Sequence, residues 1–161
     1  MESFYKKAKY FDEVLSLICG LYQEKERYLI SFNIQLITKI AEYLAIDTDI
    51  VFSSTISTAG KKDIKLLSIC KNVKATHYLS GNAARNYLRE TLFAAESVKV
   101  EWHHYQHPFY YQLWMERHGF ISHLSVIDLL FNHGPESLDI LLGRKSIPNS
   151  PGIRIMHANE V

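Results

Sequence analysis

Long apolar runs, a cysteine framework and an excess of one charge are all missing from this 161-residue sequence. No stretch approaches the roughly 18 apolar residues that a membrane-spanning helix needs, so we expect no such helix. Charged residues interrupt the N-terminal segment MESFYKKAKYFDE, where a signal peptide would require a continuous apolar core. The two cysteines, Cys19 and Cys70, lie in apolar helical patterns, which favours reduced core residues and a cytoplasmic location.

The balance of charge also excludes one class of partner. The formal net charge is +1, and the lysines and arginines are scattered along the chain. A nucleic-acid-binding domain would need a basic stripe or patch, so we expect no nucleic-acid partner. The length predicts one domain, over residues 1–146. Residues 147–161 contain Pro148, Pro151 and Gly152 and are expected to form an extended, mobile tail.

Helical periodicity dominates the first third of the chain. In residues 10–22, apolar side chains recur at the spacing of one helix face. Residues 28–44 form the longest periodic segment, with polar positions off the apolar stripe. The sequence therefore predicts two N-terminal helices.

Short apolar segments alternate with helices from Ile50 onward. Strands are predicted at residues 50–54, 76–79 and 98–105, with helices over residues 62–71 and 83–95 between them, the second helix being interrupted before Leu92. This alternation is typical of parallel β-α-β units. The predicted fold is therefore a three-layer α/β domain, in which a short, mostly parallel sheet with flanking helices follows the two N-terminal helices.

Polar residues follow the second predicted strand, where ligands bind in parallel sheets. Ser80, Gly81 and Asn82 stand between a strand and a helix, so their backbone amides could hold an anionic group. Arg85 follows within one turn and could add positive charge. The alternative is an ordinary tight turn, since neither GxGxxG nor GxxxxGK[ST] occurs.

Histidines are concentrated near the C-terminal third, but they do not form a metal motif. His103, His104 and His107 are closely spaced. Adjacent residues on a strand point to opposite faces, so His103 and His104 cannot easily ligate one ion. There is no HExxH and no cysteine pair. The sequence thus predicts no metal site and identifies no cofactor.

The segment HPFYYQ is the densest aromatic cluster. Tyr110 and Tyr111 could cover the apolar faces of a sugar or nucleoside, while the amide of Gln112 binds its polar edge. Packing between a strand and a helix explains the rings equally well. His107 opens this segment and is a candidate general base.

The segment LSVIDLLFNHGPES combines helix-end signals with polar residues that those signals do not explain. Ser125 is a predicted N-cap with Asp128 at N3, Gly134 is expected at positive φ, and Pro135 begins the next helix. Three further side chains could bind hydroxyl groups or move a proton, with His133 as the second candidate base; they are Asn132, His133 and Glu136. Glu136 could instead simply complement the helix N-terminus.

Four segments together resemble the WbqC-like protein family. They are YKKAKYFDEV, YLSGNAARNYL, HPFYYQ and LSVIDLLFNHGPES, and the last matches the family's Leu-Ser-hydrophobic-Ile/Leu-Asp-Leu-Leu-Phe-Asn-x-Gly-Pro-Glu pattern nearly throughout. The resemblance runs from about Ser3 to Leu142. Tyr111 departs from the family's frequent proline, and Ser122-His123 departs from Pro-Asn. Family members also carry an additional N-terminal segment with no counterpart here, so we expect this chain to correspond to the C-terminal portion of such a protein.

The resemblance implies a context rather than a reaction. The family is associated with bacterial surface-polysaccharide and O-antigen gene sets, which implies a transferase in polysaccharide or nucleotide-sugar biosynthesis. Its ligand would be a sugar, nucleotide or acyl donor bound at the strand carboxyl ends. The alternative is a non-catalytic module that forms a homodimer or needs a partner chain to complete its fold and site.

Overall fold

The helices and strands follow the order that hydrophobic patterning predicts for most of the chain. The structure is a computed structural model and describes residues 2–145 and 155–157. Within these residues the helices are α1 Glu2–Tyr5, α2 Phe11–Gln23, α3 Leu29–Tyr43, α4 Lys62–Asn72, α5 Glu90–Ala95, α6 Met115–His118, α7 Val126–His133 and α8 Ser137–Leu141. The strands are β1 His77–Gly81, β2 Lys99–His103, β3 Phe120–Ser122 and β4 Ile155–His157.

These elements divide between two compact units. The first unit comprises Met1–Asp47 and His107–Val161, and the second comprises Thr48–Gln106. The second unit is therefore continuous in sequence and inserted between two parts of the first.

The second unit contains the predicted β-α-β arrangement. Strands β1 and β2 are parallel, with Tyr78 opposite Val100 and Gly81 opposite His103. Helices α4 and α5 supply the apolar residues that cover this pair of strands, and Phe93 is fully buried in the resulting core. The prediction of an α/β fold with short parallel strands and flanking helices is confirmed.

One ion pair links the start of α4 to the residue that precedes α5. The guanidinium of Arg89 donates to both carboxylate oxygens of Asp63, at 2.7 and 3.1 Å. Asp63 is buried, so these charge-assisted bonds satisfy a group that would otherwise be poorly solvated. They lower the pKa of Asp63 to about 2, with the hydrogen bond from Arg89 as the main cause.

The strand predicted at residues 50–54 is wrong. Ile50, Val51 and Phe52 are exposed, and Ser53–Thr55 forms a single 3₁₀ turn. The hydroxyl of Thr55 donates to the Phe52 carbonyl at 2.8 Å, which stabilises this turn locally. A short β-branched run becomes a buried strand only where a neighbouring strand pairs with it. No described strand pairs with residues 50–54.

The helix predicted over residues 83–95 is divided, as the sequence indicated. A 3₁₀ helix, Asn82–Asn86, follows β1, and α5 begins four residues after it ends.

The first unit is mainly helical. Helices α2 and α3 pack against each other, and α2 also packs against α7 around a core that contains Val14, Ile18, Leu130 and Phe131. The predicted N-terminal helices are confirmed. Strand β3, which sequence patterning did not predict, pairs in parallel with β4, which lies inside the predicted tail. The remainder of that tail, residues 147–154 and 158–161, lies outside the described residues.

No helix within residues 2–145 and 155–157 is long and apolar enough to cross a membrane.

The junction between α7 and α8 depends on Gly134. This residue has φ 53° and ψ −128°, a conformation that glycine tolerates and other residues disfavour. A Cβ atom there would lie 2.5 Å from Cδ1 of Tyr10. The Tyr10 backbone is anchored there, because its N–H donates to the Phe131 carbonyl at 3.1 Å, and its ring packs against the first core.

We expect Gly134→Ala to destabilise the first unit more than Gly143→Ala does. Gly143 also has positive φ (66°), but a Cβ atom added there would have no neighbour within 4 Å. Gly143→Ala should therefore cost about 1 kcal/mol for conformation alone. Gly134→Ala should cost roughly 1–3 kcal/mol more because of the clash with Tyr10. Urea titration of both variants measures the difference, and equal losses would contradict the proposed clash.

Candidate functional site

A buried carboxylate, Asp128, lies at the centre of the first unit's polar contacts. It occupies the third position of α7, whose N-cap is Ser125. Ser125 Oγ accepts from the backbone N–H of Ile127 at 3.3 Å, so the predicted cap is confirmed. Asp128 does not complete a capping box by bonding back to Ser125. Its side chain turns into the core instead and is only 5% exposed.

Three neutral donors from two other segments bind this carboxylate. The hydroxyl of Tyr5 donates to Oδ1 at 2.8 Å, and the hydroxyl of Tyr110 donates to Oδ2 at 2.9 Å. Gln112 Nε2 also donates to Oδ2, at 3.2 Å. The same amide exchanges two hydrogen bonds with the backbone of Ile121, at 2.8 and 2.9 Å. The carboxylate therefore joins residues 5, 110, 112 and 128 into one buried network.

Both tyrosines that donate to Asp128 are held in their neutral form. Burial raises the pKa of Tyr110 and of Tyr5, and the adjacent charge of Asp128 raises both further. A phenol that stays protonated keeps its O–H available as a donor. Both phenols therefore remain donors across the physiological pH range.

A cavity of about 440 Å³ is lined by residues that neighbour this network in sequence, and we call it the lysine cavity. Its lining brings together four of the residues predicted from sequence with two lysines that were not predicted. The lining residues are Lys7, Ala8, Lys9, Tyr111, Leu113, Asn132, His133 and Glu136.

His133 is neutral and has a defined tautomer. Burial lowers its pKa, and it is only 8% exposed. Its Nε2 lies 3.1 Å from the backbone carbonyl of Tyr111. Because a carbonyl oxygen can only accept, Nε2 carries the proton. Nδ1 therefore keeps its lone pair, which is the state that a general base requires.

The side chain of Asn132 uses only part of its hydrogen-bonding capacity within the fold. Its Nδ2 donates to the backbone carbonyl of Asp128 at 2.7 Å, one turn earlier in α7. No hydrogen bond to its Oδ1 is formed by any described residue. The amide oxygen of a buried side chain in the cavity wall is thus left to accept from a ligand.

Glu136 belongs to a small charge cluster at the cavity edge. Its carboxylate lies 2.8 Å from Nζ of Lys145, and the hydrogen bond from Lys145 lowers the pKa of Glu136. Lys9 and His133 also interact with this carboxylate, more weakly. Two lysines, Lys145 and Lys9, act on this one carboxylate, and Lys7 also lines the cavity, so lysines outnumber carboxylates here.

A second, smaller cavity of about 230 Å³ shares the lining residue Leu113 with the lysine cavity. We call it the aromatic cavity. Three aromatic side chains line it together with the amide of Gln112 and the carboxylate of Asp128. Its lining residues are Phe4, Tyr5, Gln112, Leu113, Trp114, Met115, Ile121, Leu124 and Asp128.

The remaining predicted site residues occupy several environments. Tyr110 is buried in the core and binds Asp128. His107 packs its ring against Tyr110, Phe120 and His123, and burial lowers its pKa. Gln112 lines the aromatic cavity. Their roles in binding or catalysis stay predictions.

The other four predicted ligand-binding residues belong to the second unit. Ser80 and Gly81 end β1, where Gly81 is paired with His103 of β2. The side chain of Arg85 lies 4.4 Å over the Trp102 ring, and its Nε donates to Asn82 Oδ1 at 3.3 Å. Arg85 therefore already has two partners. Gly81 has negative φ and open space around it, so no close backbone approach requires glycine there.

Sequence reasoning missed Asp128, Tyr5, Lys7, Lys9 and Trp114 as cavity residues. Asp128 was explained by helix capping alone. Tyr5 contacts it across 123 positions of sequence, and only tertiary structure reveals that pairing. One signal was present: Asp128 stands at helical spacing from Leu124 and Phe131, and an acidic residue on such an apolar face calls for a buried partner.

Metal-ligand geometry is absent from the described part of the chain. No group of three or more His, Cys, Asp or Glu side chains within residues 2–145 and 155–157 could hold an ion.

Comparison with known proteins shows that the chain belongs to the WbqC-like protein family, whose profile matches residues 1–140. A protein of Mycobacterium tuberculosis (strain ATCC 25618 / H37Rv), described as "Uncharacterized protein Rv1507c", is 35% identical over 143 residues. That match covers 88% of this chain and 61% of the relative, so the chain spans about three fifths of the relative's length. No solved structure matches.

We expect Tyr110→Phe to destabilise the first unit by about 1.5–3 kcal/mol, because it removes one donor from a buried carboxylate. Tyr43→Phe is the matched control, since Tyr43 donates to Glu13 at the same kind of distance, 2.8 Å, but on the surface. The control should cost about 0.5 kcal/mol or less. Urea denaturation measures the free energy of unfolding of both variants. If Tyr110→Phe loses no more stability than Tyr43→Phe, the network contributes little to the stability of the first unit.

Proposed function

We propose that this WbqC-like protein is a cytoplasmic transferase of surface-polysaccharide or nucleotide-sugar biosynthesis, and that the lysine cavity binds its anionic donor. The observation that carries the proposal is the meeting of Lys7 and Lys9 with the neutral imidazole of His133 in one cavity of about 440 Å³. A cavity of this size accepts a small-molecule ligand.

The charges of the lysine cavity favour an anion. Lys7 and Lys9 reach the cavity from the loop between α1 and α2, and Glu136 is neutralised by Lys145. Ammonium groups are compact point charges that suit phosphate or carboxylate oxygens. Nucleotide sugars and acyl-coenzyme A donors both carry such phosphates. Tyr111 supplies an aromatic face beside them.

His133 is the stronger of the two candidate bases. It lines the lysine cavity, and its protonated Nε2 is occupied by the Tyr111 carbonyl. In the proposed reaction, Nδ1 would take the proton from an acceptor hydroxyl as that oxygen attacks the transferred carbon of the donor, and the bond from this carbon to its phosphate or thiol leaving group would break. Lys7 and Lys9 would hold the phosphate groups of the departing molecule. The Oδ1 of Asn132 would accept a hydrogen bond from a second hydroxyl of the acceptor substrate. The segment of Ser80, Gly81, Asn82 and Arg85 remains a proposed ligand-binding element of the second unit.

A ligand panel tests the donor site. Nucleotide sugars, acyl-coenzyme A compounds and nucleotides are screened by thermal shift on the full chain, and the dissociation constant of any compound that raises Tm is measured. We expect Lys7→Ala and Lys9→Ala each to weaken binding roughly 5- to 10-fold, about 1–1.4 kcal/mol.

The matched control is Lys6→Ala. Lys6 carries the same charge on the same short segment but does not line the cavity. It should leave the dissociation constant within about 2-fold of the wild type, since surface charges act weakly at a distance. An equal loss in Lys6→Ala, or no compound that raises Tm, would refute an anion site here.

A second candidate function is an interaction module, and helix α3 favours it. None of the fifteen residues of α3 is buried. One face packs toward the first core through Leu36 and Ile40. Ile30 and Ile37, seven positions apart, lie on another face and are 58% and 51% exposed. A second apolar face on one helix is typical of an interface, and we propose that a second copy of the chain covers it.

Sedimentation equilibrium tests this second candidate. We expect a dimer of the wild type that the double substitution Ile30→Lys/Ile37→Lys converts to a monomer, because two charges would then lie in the interface. Ile64→Lys on α4, at a comparably exposed isoleucine, should leave the dimer intact. A wild-type monomer throughout the micromolar range would dismiss the proposal.

A further inference from the structure

Asp128 carries the one formal charge among the residues that line the aromatic cavity. It forms no ion pair with any lysine, arginine or histidine of residues 2–145 and 155–157. The two imidazoles that feel its charge, His107 and His133, have their pKa lowered mainly by burial. A carboxylate that is 5% exposed and bound only by neutral donors leaves a negative potential in this cavity.

The hydrogen-bond capacity of the carboxylate is also incompletely used. A carboxylate offers about four acceptor positions, and the three donors Tyr5, Tyr110 and Gln112 use three of them. Oδ1 accepts only from Tyr5 among the described residues. The hydroxyl oxygen of Tyr5 is itself a further acceptor in the cavity wall. Two acceptors thus lie side by side, at 2.8 Å from each other.

Aromatic rings form the outer part of the same cavity. Phe4 and Trp114 are 70% and 42% exposed, and the indole N–H of Trp114 donates to the Phe4 carbonyl at 3.0 Å, which holds the two residues together. The faces of such rings attract cations. The Trp114 ring already does so, since Nζ of Lys7 lies 5.8 Å from its centroid.

We propose that the aromatic cavity is a binding site for a primary ammonium group on a small apolar substituent. The ammonium would donate to Asp128 Oδ1 and to the Tyr5 hydroxyl oxygen, and the substituent would lie between Phe4, Trp114 and Leu124. A primary ammonium fits better than a quaternary one because the innermost groups are hydrogen-bond acceptors. The cavity holds about 230 Å³, enough for a ligand the size of one substituted ring. This site does not depend on the donor proposed for the lysine cavity.

Calorimetric titration with benzylammonium and with benzyl alcohol tests the charge preference. The two probes have nearly the same shape, but only the first is charged at neutral pH. We expect benzylammonium to bind the full chain at least about 10-fold more tightly than benzyl alcohol, because only the cation gains from the buried carboxylate. Equal affinities, or no binding of benzylammonium at millimolar concentration, would overturn the proposal.

Two substitutions assign the binding to this cavity. Asp128→Asn keeps the shape of the side chain but removes its charge. It should therefore weaken the binding of benzylammonium about 10-fold or more and leave the binding of benzyl alcohol nearly unchanged. Phe4→Leu keeps apolar area but removes the ring, and it should weaken the binding of benzylammonium about 3-fold or more. Because Phe4 is exposed, this variant stays informative if Asp128→Asn does not fold.

Phe52→Leu is the matched control for the ring. Phe52 is an exposed phenylalanine of the second unit and does not line the aromatic cavity. It should bind both probes as the wild type does. A loss in Phe52→Leu equal to that in Phe4→Leu, or an unchanged preference for the cation in both Asp128→Asn and Phe4→Leu, would also overturn the site.

Discussion

The buried carboxylate of Asp128 is the interaction on which the first unit depends. It takes hydrogen bonds from Tyr5 near the N-terminus and from Tyr110 and Gln112 beyond the inserted second unit. A buried charge is strongly destabilising unless it is hydrogen-bonded, so these donors must reach it whenever the unit folds. The carboxylate therefore fixes the register between helices α1 and α7 and the segment that follows His107.

The two cavities follow from that register. Gln112 is held by Asp128 and by two backbone bonds to Ile121. With Gln112 fixed, its neighbours fall on different sides: Tyr111 lines the lysine cavity and Trp114 lines the aromatic cavity, with Leu113 between them. One short segment thus forms a wall of both cavities. Their shapes depend on the same few hydrogen bonds, whereas their charges come from different residues.

Local patterns were sufficient to predict the longer helices, the parallel strands β1 and β2 and the cap at Ser125, because periodicity and capping act over a few residues. The predicted strand at Ile50 failed for the opposite reason: three apolar residues specify a strand only when a partner strand is present. Strand β3 was missed because its partner lies more than thirty positions away. Asn132 and His133 were predicted as site residues because helix capping did not explain them. Asp128 fitted a capping pattern, so it was not predicted as a cavity residue.

The division of charge between the two cavities suggests why an acidic residue stays buried in this unit. If stability alone were at issue, apolar side chains of similar volume in place of Asp128 and its three donors together would serve as well or better, since buried charges seldom add net stability over a well-packed apolar core. Asp128 is the charged residue that lines the aromatic cavity, whereas Lys7, Lys9 and Glu136 line the lysine cavity. A molecule or pair of molecules with one cationic and one anionic group could then be held in a single orientation. The backbone carbonyl of Asp128 binds Asn132 at 2.7 Å, so the residue that sets the potential of the aromatic cavity also positions a polar group of the lysine cavity.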